Sequence, residues 1–460
     1  MRASAALLVV TLAGCALAPA PERDEVRKQA MPNAAVPPQW TAAAVPTGAV
    51  TSDWLAKFGD PALVALVNEA IAYNLDLRAA AARVEQAAGY LQASGATLYP
   101  QVNLLARGGG KAGGDSSGLQ GIGFFATWEL DLWGRVRSGQ AFARLQYESA
   151  QLDAEYARQS IAALVAKSWF LAIEARLQKA QAQAMIDSSG QLVALAGDRL
   201  RVGRGDDLDV TVARANVETL RDTERTLDLA YQQAVRSLEV LLGRYPAGAL
   251  AIADRLIPLP EPVPVGLPAE LLERRPDVVA AERRVAGAFY RTEEAKAARL
   301  PRISLTATAT TISSEMFVLK NTDNPLLSLG ASLLQPIFLG GLLQAQVEVR
   351  TAEQQAAVVE YGRVSTRAFL EVETALSSSF SLAEREEILA RAVGENVRAV
   401  ELSGVRLRVG SGDLRGVQQQ QLALYSAQVA LLRVQSERLV QRVNLHLALG
   451  GDFGVAAVTR

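Results

Sequence analysis

Side chains capable of covalent, metal or proton chemistry are almost missing from this sequence. Its 460 residues include one cysteine, Cys15, and one histidine, His446. Disulfides and Cys/His metal sites therefore fail on inventory. No Ser/His or Cys/His pair is at hand for nucleophilic catalysis. His446 lies in the apolar pattern of the last helical stretch, which suits a packed or interfacial ring rather than a catalyst. The run Gly108-Gly109-Gly110-Lys111 lacks the spacing of a phosphate loop and the Ser/Thr that should follow, so it reads as a hairpin turn. Arg204-Gly205-Asp206 is likewise a turn that needs glycine. Carboxylates are scattered along helix faces, where solvation is the default. No enzyme, no metal and no cofactor are expected.

The chemistry that remains sits at the start. Arg2, an apolar stretch from Ala5 to Leu12 and then small residues make 1–14 a signal peptide. Leu12-Ala13-Gly14-Cys15 matches the bacterial lipoprotein processing box, which is cut before the cysteine. Cys15 is then the expected lipidation site, its sulfur carrying diacylglycerol and its amine an acyl chain such as palmitate. At roughly 0.8 kcal/mol per buried methylene, those chains hold the terminus in a bilayer. Ala16 follows rather than Asp, which points to the outer membrane. A plain secretory leader with a chance cysteine is the alternative. Residues 15–52, rich in Ala and Pro, are expected to run as an extended, lipidated segment along the body.

The rest of the chain is one unit written twice. Arg406-Leu407-Arg408-Val409-Gly410-Ser411-Gly412-Asp413 nearly copies Arg199-Leu200-Arg201-Val202-Gly203-Arg204-Gly205-Asp206, at an offset of 207. Asn74 and Pro100 align with Arg275 and Pro301 at an offset of 201, and Gly134 with Gly340 at 206. The expected division is a first repeat over 53–250, a Pro-rich linker over 251–267, a second repeat over 268–450 and a tail over 451–460. Charge is nearly balanced, 47 basic against 48 acidic residues, which argues against a nucleic-acid binder. Past the leader no run of about eighteen apolar residues occurs, so no transmembrane helix is expected.

Each repeat changes period midway. Helical spacing at Leu63, Leu66, Val67, Ala70 and Ile71 gives way, after a second helix from Asn74 to before Pro100, to alternation. Strands are expected at about 101–111 and 118–130, then at about 302–312 and 326–335. Ile303, Leu305, Ala307 and Ala309 face one way, with Arg302, Ser304, Thr306, Thr308 and Thr310 opposite. Hairpin strands of about ten residues can cross a bilayer when tilted; soluble edge hairpins are the alternative. Trp128 and Trp133 stand where a strand leaves the apolar zone, as membrane-interface aromatics or as core residues. Long helices follow at roughly 134–197 and 341–403, each near 95 Å at 1.5 Å per residue. Returning helices over about 207–243 and 414–449, added to pre-hairpin stretches over about 66–98 and 268–299, recover that length. The expectation is an antiparallel coiled-coil bundle, hairpins at one end and Val-x-Gly turns at the other.

Four spanning strands cannot close a barrel, and open edges in hydrocarbon leave backbone groups unpaired. Several copies must share one wall: two would give eight strands and a filled interior, three would give twelve and a lumen. Such a pore, continuous with a helical tube, is a conduit.

These features make the sequence resemble the TolC-like, and more narrowly OprM-like, outer-membrane factors of bacterial efflux systems. The likeness spans essentially all of the mature chain. It is carried by Phe58-Gly59-Asp60-Pro61-Ala62-Leu63, Trp128-Glu129-Leu130-Asp131-Leu132-Trp133-Gly134-Arg135, Leu271-Leu272-Glu273-Arg274-Arg275-Pro276-Asp277 and Gln335-Pro336-Ile337-Phe338-Leu339-Gly340-Gly341. The resemblance implies a mainly α fold with a membrane β-barrel: a lipid-anchored homotrimer, a shared 12-stranded barrel and a periplasmic α-barrel. It implies docking to a periplasmic adaptor and to an inner-membrane pump of the resistance–nodulation–division type. Val202, Gly203, Gly205 and Asp206, with Val409, Gly410, Gly412 and Asp413, then form the periplasmic tip where the adaptor docks. Gly416 and Gln419 occupy the constriction positions where relatives often carry acidic residues, so a neutral ring is expected here. Leu339 replaces an aspartate often seen before the paired glycines. Small-molecule efflux is the expected duty, with type I protein secretion and a poreless lipid-anchored scaffold as alternatives.

Overall fold

The structure, a computed structural model, describes residues 17–42, 53–107, 120–313 and 326–451. The element lengths repeat as the sequence does. Helices α4 (Leu75–Ala96) and α8 (Pro276–Ala297) have 22 residues each. Helices α5 (Arg135–Arg201) and α9 (Leu342–Arg408) have 67 each. Helices α6 (Asp207–Leu241) and α10 (Leu414–Ala448) have 35 each. Between α4 and α5 lie β1 (Gln101–Arg107) and β2 (Gln120–Leu130). Between α8 and α9 lie β3 (Arg302–Ser313) and β4 (Leu326–Leu334). The hairpin turns after Arg107 and Ser313 fall outside the described residues, as do Cys15, the leader and 452–460.

Two compact units divide the chain, one taking 1–34, 81–153 and 277–366, the other 35–80, 154–276 and 367–460. Each takes part of both repeats, so the units cut across the two halves of the sequence. In the first, the N-terminal segment departs from the extended course expected for 15–52: Arg23–Ala30 form helix α1. The reason is local electrostatics. Asp24 and Glu25 lie in its first turn and Arg27 and Lys28 in its last, which complements the helix dipole. Val26 is buried, and Arg23 pairs with Glu282 of α8 at 3.0 Å. Gly362 of α9 lets the chain approach closely; a Cβ there would stand 2.4 Å from the Ala30 carbonyl oxygen.

The second unit holds the main apolar core. Helix α2 (Trp54–Lys57) leads into α3 (Pro61–Tyr73) through Gly59, whose φ of +63° suits only glycine. Asp60 caps α3, its carboxylate accepting from Ala62 N and Leu63 N at 3.0 and 3.1 Å. Its other oxygen accepts from Trp169 Nε1 at 2.8 Å. Leu63, Leu66, Val67 and Ala70 pack on the segment of α5 from Ile161 to Ile173 and on Val235, Leu238 and Leu242. Replacing Asp60 by Ala removes a cap and strands a buried indole N–H. Thermal or denaturant unfolding is expected to show a loss of about 2 kcal/mol.

Before the first hairpin two helices occur, as expected, and the stretch before the second hairpin is likewise broken in two. α3 stops at Asn74, and α7 (Pro268–Arg274) stops at Arg275, where Pro276 forces the preceding residue out of helical geometry. Both break residues then do the same thing. Asn74 Nδ2 donates to Leu241 O at 2.9 Å, and Arg275 Nη1 donates to Ala448 O at 3.2 Å. Each ties a helix break to the last turn of the returning helix of its own repeat. In this unit Trp40 donates to Gly266 O at 3.2 Å. The Glu373 carboxylate accepts from Thr41 N, Thr41 Oγ1 and Ala42 N, all at 2.9 Å.

Candidate functional site

The four strands form one antiparallel sheet in the order β1-β2-β3-β4. Trp128 faces Leu305, Phe124 faces Ala309 and Ala126 faces Ala307 across β2 and β3, so the two hairpins are joined within the chain. Only the outer edges of β1 and β4 lack a partner strand among the described residues.

Register makes the two faces chemically opposite. Val102, Ala126, Ala307 and Leu329 lie in one row, and Leu104, Phe124, Ala309 and Leu327 in the next. A third row holds Trp128, Leu305 and Ala331. The other face is mostly polar: Gln101, Thr127 and Thr306, then Asn103, Phe125, Thr308 and Ser328, then Glu129, Ser304 and Ser332. Leu329 is 89% exposed, Leu327 77% and Val102 65%. A contiguous apolar sheet face this bare needs a nonaqueous cover.

The Trp128–Arg135 motif builds the junction between sheet and helix. Trp128 Nε1 donates to Leu98 O at 2.9 Å, and the half-exposed Trp133 donates to Pro301 O at 2.8 Å. Asp131 accepts from Val136 N and Arg137 N at 3.0 and 2.9 Å, satisfying the first turn of α5. Glu129 is held bidentately by Arg135, at 2.9 and 2.7 Å. In the second repeat Gln335 Nε2 donates to Arg299 O at 3.2 Å, and Leu339 is half exposed.

At the far ends of α5 and α9 the two turns are near copies. Gly203 N bonds Leu200 O and Arg204 N bonds Arg199 O; Gly410 N bonds Leu407 O and Ser411 N bonds Arg406 O. These are Schellman closures, with φ of +72° at Gly203 and +78° at Gly410. Gly205 is required by space, since a Cβ there would meet Leu200 N at 2.7 Å; at Gly412 the nearest atom would be Arg406 Cβ at 3.0 Å. Asp206 and Asp413 cap α6 and α10 through Leu208 N and Gly416 N. Val202 and Val409 stand out into solvent, 68% and 71% exposed. Arg415 Nε pairs with Asp209 Oδ1 at 2.9 Å, linking α10 to α6. Gln419 is exposed beside Gly416, and neither position bears charge. The structure thus brings together the turn residues within each repeat, while Trp128 and Trp133 lie in the other compact unit.

No group of residues able to hold a metal ion occurs among the described residues, and no described helix is apolar enough to cross a membrane. The profile of the outer membrane efflux protein family matches the chain twice, over residues 66–244 and 267–451. The chain belongs to that family. Pyoverdine export outer membrane protein OpmQ of Pseudomonas aeruginosa is 30% identical over 438 residues, covering 91% of this chain and 92% of its own. Outer membrane protein OprJ of the same organism is 31% identical over 467 residues, with 98% and 95% covered. The solved structure of the outer-membrane channel OprN superposes with a TM-score of 0.84 at 26% identity, over 91% of this chain and 97% of its own. This outer-membrane efflux protein is therefore a TolC/OprM-like channel component and not an enzyme.

Sequence reasoning passed over α1 and the clamps made by Arg275 and Glu373. For α1 a signal existed: after Pro21, the acidic pair Asp24-Glu25 stands one residue ahead of the basic pair Arg27-Lys28. The clamps join residues far apart in sequence and leave no local pattern.

Proposed function

We propose that this efflux protein is the exit duct of a tripartite pump, carrying small molecules from an inner-membrane pump of the resistance–nodulation–division type, through a periplasmic adaptor, across the outer membrane. The observation that carries the reading is the sheet: apolar on one face, hydroxyl-rich on the other, with two unsatisfied edges. Edge groups in hydrocarbon cost several kcal/mol each, so β1 of one copy must meet β4 of the next. Three copies close twelve strands around a polar lumen, with the hydroxyl face inward. Lipid on Cys15 anchors the assembly, Trp128 and Trp133 sit at the membrane interface, and the residues from Val202 to Asp206 and from Val409 to Asp413 receive the adaptor. The relative OpmQ, named for pyoverdine export, fits a small-molecule duct better than protein secretion. Native mass spectrometry of the acylated protein is expected to give a trimer, and planar bilayers a steady current; a discrete monomer without current would sink the reading.

Neutral residues at Gly416 and Gln419 carry a further expectation. Divalent cations bind through oxygen ligands, chiefly carboxylates. Mg²⁺ added on the tip side should leave the wild-type current nearly unchanged, whereas Gln419→Glu should introduce a blocked component. Strong block of the wild type would count against a neutral ring.

A further inference from the structure

Where the first turn of α5 meets the end of α8, a polar cavity of about 460 Å³ opens, lined by Leu17, Trp133, Ser138, Glu293, Lys296 and Arg299 among others. Neither the family's channel role nor the tip uses it. Lys296 Nζ lies 2.7 Å from Glu293 Oε1. The Arg299 guanidinium has no ion-pair partner among the described residues. Leu17, two positions after Cys15, closes over Gly134, where a Cβ would stand 3.0 Å from Leu17 Cδ2. The half-exposed Trp133 ring forms the rim beside the strand ends.

We propose that this cavity seats the headgroup of an ethanolamine phospholipid, a structural lipid held beside the protein's own anchor. The proposal rests on the reading that the sheet spans the membrane, which places the cavity at headgroup depth. Lys296 and Arg299 supply donors for a phosphodiester, as basic pockets at membrane surfaces do. Glu293 and the carbonyl end of α8, which stops at Ala297, favour a cation beside it. A zwitterion meets both demands. A purely anionic headgroup would face the Glu293 carboxylate and the negative end of the helix dipole, and choline's methylated nitrogen offers no N–H donor to either. The amphipathic indole of Trp133 suits the level where headgroup gives way to acyl chain.

The test uses full-length acylated protein in detergent, titrated with short-chain phosphatidylethanolamine, phosphatidylglycerol or phosphatidylcholine and followed by native mass spectrometry. Ethanolamine lipid is expected to bind about tenfold more tightly than choline lipid, the value of one charge-assisted hydrogen bond. That preference should vanish in Lys296→Glu/Arg299→Glu, while trimer mass and bilayer current persist. Glu293→Gln, nearly isosteric, should shift preference toward phosphatidylglycerol, and it carries the test alone if the double variant does not fold. Equal binding of all three lipids, an unchanged preference in Glu293→Gln, or equal competition by soluble phosphoethanolamine would each overturn the proposal. Loss of current in the wild type would instead strike the channel reading.

Discussion

Replacing Arg275 by Ala is expected to cost about 3–5 kcal/mol and to prevent accumulation of the assembled protein. The guanidinium is 1% exposed. It meets Glu371 at 2.6 Å, Ala448 O at 3.2 Å and Tyr156 OH at 3.4 Å, and its carbon lies 5.7 Å from the Tyr156 ring centroid. Removing it strands a buried helix-end carbonyl and takes from Glu371 its 2.6 Å guanidinium partner. Glu371 is about one-third exposed and also paired with Arg367 at 3.0 Å. In Glu371→Gln the amide oxygen can still accept from the guanidinium, but a buried cation loses its carboxylate, so the cost should be about 2 kcal/mol. Arg275→Lys should fall between, because a point charge cannot serve carboxylate, carbonyl and ring at once. Chemical denaturation of the purified protein measures the series. A loss under about 0.5 kcal/mol for the alanine variant would show that the clasp is dispensable.

Arg275 also shows where sequence reading stopped. Its motif was legible and its partner was not, because Glu371 and Ala448 lie 96 and 173 positions away. The repeat was legible because each copy solves the same local problem with the same residues. Gly203 and Gly410 close the long helices, and Asp206 and Asp413 start the returning ones. Strand faces were legible through their alternation, from Ile303 to Ala309 above all. The union of β2 with β3 was not, since pairing between hairpins about 180 positions apart leaves no trace in either strand. The same limit hid α1 packing at Gly362, where a missing Cβ matters only because another segment arrives there.

Equivalent positions that diverged are informative for the opposite reason. Glu239 and His446 share an offset of 207 and each sits in a Schellman closure, bonded by Arg244 N and Gly451 N. Glu239 turns its carboxylate to Gly248 N, Ala249 N and Leu250 N, at 2.6, 2.8 and 3.0 Å, pinning the residues just before the linker. Burial pushes that carboxyl up, but the three backbone donors and Arg244 outweigh it and hold it below its ordinary value. At the corresponding site in the second repeat the ring of His446 stacks on Trp54, with centroids 5.5 Å apart and planes 17° off parallel. One backbone geometry thus carries a polar clamp in one half and an aromatic plug in the other.

That plug should make the protein acid-labile. His446 is 1% exposed, its Nδ1 has no hydrogen-bond partner, and burial, then the charges of Arg442 and Lys57, push its pKa down to about 3. Well above pH of about 6.5 the imidazole is neutral both folded and unfolded, and its titration costs no stability. As pH falls, the unfolded chain binds a proton that the folded chain refuses, so stability drops between about 6.5 and 3. The full loss approaches roughly 5 kcal/mol, with about 3 of it spent by pH 4.5. His446→Phe keeps a flat ring against Trp54 and Phe58 and removes the titrating nitrogen. At pH 7 it should be as stable as the wild type or slightly more so, because a desolvated acceptor is gone. Between pH 7 and 4.5 the variant should lose about 3 kcal/mol less than the wild type. Carboxylates that titrate in the same range act on both proteins and cancel in that difference. Parallel pH profiles of unfolding free energy for the two proteins would mean that the ring takes up its proton in place, and the packing around Trp54 would then have to open in acid without unfolding the chain.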